Sequence, residues 1–224
     1  DVMICARGRE ALDEAVKSIG AQAASAKGGN ARGRIMGVAG DVAKPEDVKR
    51  IYDETMKAYG KVDILINNAG VSRAGPFETL TDERMQEDLD QKLFAAIRMT
   101  RLVWPQMKER RWGRVINVLN IGAKAPRAAS APTSISRAAG MALTKVLVNA
   151  LLVGIMEADQ HVQAAKRNNV PLEDYMAQRV KPIPIGRAGK AEEFANMACF
   201  LASDQGGYIT GTATNVDGGT SPVV

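Results

Sequence analysis

Lys92, Asn120, Thr133 and Arg137 each carry a polar or charged group able to hydrogen-bond a ligand atom. The Asn120 amide can donate a hydrogen bond to a carbonyl oxygen and so polarise it. Lys92 can act as an acid where desolvation or a neighbouring cation lowers its pKa; pointing to solvent is the default for a lysine on a helix. Lys124, in the loop after Asn120, is a second candidate of the same kind. The Thr133 hydroxyl is a very weak acid that can donate and accept hydrogen bonds. Arg137 keeps its charge at any working pH, so it can hold a ligand but cannot relay a proton.

A second set of residues is suited to binding. Asn67-Asn68-Ala69-Gly70 closes an apolar run that begins at Val62. Asn tolerates an irregular backbone at a strand end, and Ala-Gly leaves room for close approach of a ligand. Asn68 is expected to bridge neighbouring strands rather than touch the ligand. Arg7, just past the first apolar run and followed by Arg9, offers a two-pronged donor to a phosphate. In Gly40-Asp41-Val42, Asp41 reads both as a ligand contact and as a helix N-cap ahead of Pro45. Gly154 permits close backbone approach after a later apolar run.

The elements that must position these residues alternate in type. Short apolar or β-branched runs at 2–6, 34–39, 63–67, 113–119, 148–152 and 212–216 predict strands. Amphipathic stretches at 10–20, 44–59, 82–109, 134–147 and 191–203 predict helices between them. Such alternation is the pattern of a parallel sheet covered on both faces. Pro45 with Glu46 and Asp47 marks the start of the second helix, a first-turn proline with acids on the positive end of the dipole. No repeat or low-complexity linker interrupts the chain, so a single domain over 1–224 is expected.

Val62-Asp63-Ile64-Leu65-Ile66-Asn67-Asn68-Ala69-Gly70, Arg114-Val115-Ile116-Asn117-Val118 and Asn215-Val216-Asp217-Gly218-Gly219 together resemble the classical short-chain dehydrogenase/reductase family, and the resemblance runs from Val2 to Gly219. It implies an α/β, doubly wound Rossmann domain that binds a nicotinamide dinucleotide and transfers hydride with an Asn, Ser, Tyr, Lys tetrad. At those four places stand Lys92, Asn120, Thr133 and Arg137, with the family's spacing kept and every side chain changed. In the family the Tyr donates a proton to the carbonyl, its pKa lowered by the Lys. The resemblance makes Arg7, Asp41, Val42, Asn67, Ala69, Gly70, Arg137 and Gly154 the cofactor contacts. Arg7 stands where an acid would read the adenosine ribose, which favours NADP, with NAD possible. Ala158 stands where a Thr would hold the nicotinamide amide.

Two functions follow. One is an NADP(H)-linked oxidoreductase acting on a small-molecule carbonyl or alcohol through an atypical centre. The other is an inactive homologue that binds a dinucleotide or a protein partner. The polar segment 157–181 corresponds to the family's substrate lid, and His161, the chain's one histidine, is expected on its surface or, failing that, as a replacement acid. Leu93, Phe94, Ile97, Trp104, Met141 and Leu143 exceed what one sheet face covers, so a homotetramer or dimer is expected. The resemblance also predicts roughly 25–35 further residues before Asp1, carrying a first strand and a Gly-rich phosphate turn, and a longer connection between Leu147 and Val148.

Composition sets the remaining bounds. Hydrophobic residues at 46% and charged residues at 25% suit a globular protein, and no apolar run reaches the length of a membrane span. Net charge is +5, but the densest basic group, Lys108 to Arg114, is broken by Glu109 and falls at a helix end, which argues against nucleic acid. Cys5 and Cys199 suit a reduced, cytoplasmic setting and are expected to be buried as small hydrophobes. No metal-ligand spacing occurs.

Overall fold

The short apolar runs and the amphipathic stretches form parallel strands and helices in a Rossmann-like α/β fold, as the sequence predicts. The computed structural model describes residues 1–25, 33–145 and 148–223. The expected break in the connection at Leu147, and the last two residues of the helix expected to reach it, lie outside the described residues. The chain packs as two compact units, Asp1–Leu65 with Phe94–Gly113, and Ile66–Leu93 with Arg114–Val224.

In the first unit β1 (Val2–Ala6) pairs in parallel with β2 (Ile35–Ala39), Val2 opposite Ile35 and Ala6 opposite Ala39. Helix α1 (Arg9–Ser25) sets Leu12, 2% exposed, against β2. The seat exists because Gly37 lacks a side chain: a Cβ there would stand 2.9 Å from Leu12 Cγ. Helix α2 (Pro45–Tyr59) starts on its proline, buries Val48 and Ile51, and stops at Gly60 in the left-handed conformation, φ 75°. Asp41 does not cap it. Lys44 holds the N-cap place without a side-chain bond, and Asp41 instead accepts from the Ala43 amide at 3.0 Å, closing a turn. Strand β3 (Ile64–Asn67) then leads into the second unit.

The second unit contains β4 (Ala74–Gly75), α3 (Asp82–Leu89) and most of a π-helical turn over Asp90–Phe94. The sequence predicted one helix over 82–109; the π turn divides it, and α4 (Ala95–Glu109) belongs to the first unit, where it buries Val103 and Met107. At its end Arg110 folds back onto Asp63 and the Val62 carbonyl, so part of the basic group is occupied internally.

After β5 (Arg114–Asn120) come β6 (Ala131–Pro132), antiparallel to β4, and α5 (Thr133–Thr144). Strand β7 (Asn149–Val153), helices α6 (Asp159–Arg167), α7 (Leu172–Val180) and α8 (Ala191–Ala202), and β8 (Ala213–Val216) complete the unit. Its sheet runs β3-β5-β7-β8, with β5, β7 and β8 parallel. Strand periodicity separates two faces. Ile116 and Leu151 meet Ala198 and Leu201 of α8, while Leu119, Ala150 and Leu152 meet Met141 of α5.

Two expectations about single residues change. Cys5 and Cys199 are exposed rather than buried. The segment at 157–181 holds two helices, and His161 is buried between them at 6% exposure, its ring 6.0 Å from that of Tyr175. Among the described residues no helix is long and apolar enough to cross a membrane.

Leu151 is fully enclosed between β5 and α8. Leu151→Ala should lower the unfolding free energy by about 2–5 kcal/mol, measured in urea, through lost transfer energy and the cavity left behind. A loss within error of zero would mean that this face is not the packed core.

Candidate active site

Asp88 and Lys92 are four residues apart on one helical face, a spacing that brings their side chains together. The π turn carries Lys92, and both side chains turn inward, 0% and 1% exposed respectively. Lys92 Nζ donates to Asp88 Oδ1 at 2.5 Å and to Thr133 Oγ1 at 3.0 Å. Ser136 Oγ donates to the other carboxylate oxygen of Asp88, also at 2.5 Å, and lies 3.0 Å from the Thr133 carbonyl. Lys92 is therefore not solvated, as a helix lysine ordinarily is.

The Thr133 hydroxyl is fully engaged. It accepts from Lys92 Nζ and from the Arg73 amide at 2.9 Å, and donates to the Arg73 carbonyl at 3.1 Å. Its proton and both lone pairs are committed, so Thr133 is held as structure. Lys92 has three N–H donors, of which two are assigned above.

Charge in this enclosure is finely opposed. Burial pushes the Lys92 pKa below its ordinary value; Asp88 pulls it back up, and Arg137 and Arg73 push it down again. Arg137 is likewise lowered by burial and supported by Asp88. Its guanidinium donates to the Val118 carbonyl at 2.7 Å, while its Nε is buried without a partner among the described residues. A Cβ on Gly70 would stand 2.7 Å from Arg137 Nη2 and 3.3 Å from Lys92 Cγ. Gly70 is thus the cover under which both cations fit. Lys92, Thr133, Arg137 and Gly70 come together as one cluster.

No hydrogen bond ties Asn120, Asn67 or Lys124 into this cluster among the described residues. Asn120, at the end of β5, keeps its Oδ1 buried and unpartnered among the described residues, beside Gly122. Asn67 donates to Asn117 Oδ1 at 2.9 Å, so Asn67, not Asn68, bridges the strands. Gly154 is required by the protein itself: a Cβ there would meet Asp217 Cα at 2.6 Å. Ala69 is exposed, and Val42 is half-buried in the first unit. Arg7 is exposed just after β1, and Arg9 pairs with Asp13 at 3.2 Å. Lys124 donates to the Ala213 carbonyl at 2.7 Å. His161 is held below its ordinary pKa by burial first and Arg179 second, against a hydrogen bond it gives to the Met156 backbone, which favours the charged form.

Sequence reasoning missed Asp88, Ser136 and Arg73. Asp88 had a signal, an acid one helical turn before the candidate lysine. Ser136 is a small polar residue inside a helix, and Arg73 acts here through its backbone; neither feature is distinctive. Beside Arg73 a cavity of about 350 Å³ is lined by Arg73, Arg84, Glu87, Thr79, Leu80 and Pro132, among others. Among the described residues no group of three His, Cys, Asp or Glu side chains could hold a metal ion.

Removing the cation should expose the cost of the buried anion. Lys92→Met should destabilise the fold by about 3–5 kcal/mol, because Asp88 is left uncompensated. Lys92→Met with Asp88→Leu should recover most of that loss in thermal or urea unfolding; equal destabilisation by both variants would refute the pairing.

Residues 1–221 match the family model described as enoyl-(acyl carrier protein) reductase. The chain is 30% identical over 227 residues to the 3-oxoacyl-(acyl-carrier-protein) reductase of Escherichia coli, covering 96% of this chain and 88% of that protein. It is 35% identical over 171 residues to the acetoacetyl-CoA reductase of Rhizobium meliloti, covering 71% and 68%. Among solved structures, L-sorbose reductase of Gluconobacter frateurii, complexed with NADPH and L-sorbose, superposes with a TM-score of 0.90 at 27% identity, over 99% of this chain and 87% of that one.

Proposed function

Because the chain belongs to the short-chain dehydrogenase/reductase family, whose members here are NAD(P)-dependent reductases, we propose that it is an NADP(H)-linked oxidoreductase interconverting a small-molecule carbonyl and alcohol, with Lys92 in place of the usual phenol as the acid. The observation that carries this reading is the enclosed Lys92 ammonium, held against Asp88 and Thr133 with a donor to spare.

Within each unit the residue types present suit a dinucleotide. Arg7 is exposed after β1 and has no hydrogen bond or ion pair assigned among the described residues, which leaves its fork for a 2′-phosphate. Asp41 and Val42 are assigned to the adenine, and Asn67, Ala69, Gly70 and Gly154 to the backbone surface against which the cofactor lies. The orphaned Arg137 Nε supports a role for Arg137 in holding the nicotinamide ribose. NADPH, when held by these residues, would supply the hydride that reaches the carbonyl carbon. Lys92 gives the carbonyl oxygen its proton as the C=O bond becomes H–C–O–H, and the resulting neutral amine regains a proton from solvent. The Asn120 amide polarises the same oxygen and its free Oδ1 accepts from the product hydroxyl. Helices α6 and α7 form the substrate lid over 157–181. Exposed Phe94 is assigned to a subunit contact in a homotetramer or dimer.

A second reading is favoured by the engaged Thr133 hydroxyl and the 1% exposure of Lys92. Here proton transfer is lost, and the protein binds a dinucleotide or a partner without turnover.

Calorimetry with NADPH and NADH, followed by turnover on a panel of ketones and aldehydes, separates these readings. The oxidoreductase should bind NADPH more tightly, with Arg7→Asp reversing the order, and Lys92→Ala should abolish turnover. An acid works only while protonated, so activity should be full at low pH and fall as pH rises through the Lys92 pKa, below the ordinary 10.5. Tight NADPH binding with no turnover, unchanged by Lys92→Ala, would establish the second reading instead.

A further inference from the structure

Beneath Lys92 lie two residues that no part of the family's tetrad accounts for. A lysine enclosed to this degree surrenders its proton unless an anion meets it, because the interior does not solvate an isolated ammonium. The charged groups facing Lys92 come from three elements. Asp88 is on α3, Arg137 on α5, and Arg73 lies in the loop before β4, where it is paired with Glu87. Two of these three neighbours are cations. Asp88 is the anion in contact with Nζ, at 2.5 Å.

Asp88 is itself fixed. Its Oδ2 accepts from Ser136 Oγ, which is 3.0 Å from the Thr133 carbonyl, and its Oδ1 accepts from Lys92. Both oxygens are committed, so the carboxylate plane cannot rotate freely. The hydroxyl that orients it stands one turn along α5 from the hydroxyl that receives Lys92. We propose that Asp88 and Ser136 are positioning residues for Lys92: Asp88 keeps the ammonium charged inside the enclosure, and Ser136 holds the carboxylate so that Nζ stays aimed at Thr133 with one N–H left for a ligand oxygen. The catalytic consequence rests on the reading of Lys92 as the acid, whereas the electrostatic role does not.

The logic extends to what each substitution leaves behind. Asp88→Asn keeps the size of the side chain and removes its charge, so Lys92 shares its enclosure with two arginines that cannot release a proton. Lys92 must be the group that yields. Ser136→Ala leaves the charge but frees the carboxylate to turn, and its effect should be smaller and in the same direction.

The test is a pH titration followed by NMR on the full chain labelled with 13Cε-lysine, the Lys92 signal being assigned by its loss in Lys92→Met. In Asp88→Asn the Lys92 midpoint should fall by about one pH unit or more, a tenfold loss of proton affinity, with a smaller fall in Ser136→Ala. Where the protein turns over a carbonyl, the alkaline limb of kcat should move by the same amount. An unchanged Lys92 midpoint in folded Asp88→Asn overturns the proposal. If Asp88→Asn does not fold, Ser136→Ala decides: a lowered midpoint supports the assignment and an unmoved one overturns it. A wild-type protein without turnover removes the acid role of Lys92 but leaves the NMR result to judge Asp88 alone.

Discussion

Asp88 is 0% exposed, and a carboxylate out of reach of water must meet a cation and further donors or cease to be ionised. Lys92 meets one oxygen and Ser136 the other. Once that pair is in place, other features follow. Thr133 must accept from Lys92, because the interior offers that donor little else. Arg73 must present its backbone to Thr133. Gly70 must lack a side chain, because Lys92 and Arg137 fill the space beneath it. The polar centre is therefore one connected hydrogen-bond network.

The scaffold that holds the unit is ordinary by comparison. β5 and β7 lie in parallel, each giving alternate residues to α5 on one face and α8 on the other. That arrangement fixes the end of β5, where Asn120 sits, and the start of α5, where Thr133 sits. The apolar core sets the distance between these points, and the polar network fills it. Asn67 and Asn117 add a side-chain bridge between neighbouring strands at 2.9 Å, and Asn117 lies within 3.4 Å of the Thr144 hydroxyl. Polar residues inside this unit are thus tied into chains rather than left singly.

Much of the fold was legible because strand and helix periods differ. β1 lies where the sequence predicted it, and β2, β3, β5, β7 and β8 lie within a residue of their predicted places. The π turn at Asp90–Phe94 was not legible, since a helix wider by one residue carries the same composition as a regular one. The helices α6 and α7 and the burial of His161 also escaped, because a polar segment folds into helices when neighbours give its few apolar residues something to cover.

Sequence alone determined the family, the residue types at the candidate positions, and the parallel alternation of strands and helices. Each of these depends on the order and spacing of residues along the chain. Tertiary structure alone decided the direction in which Lys92 points and what it touches. A lysine on a helix carries the same letters whether it faces water or a carboxylate. Only the meeting of α3 with α5, which sets Asp88 against Ser136, takes this one out of solvent. The same meeting gave roles to Asp88, Ser136 and Arg73, residues with no distinctive spacing, because their contacts span distant parts of the chain.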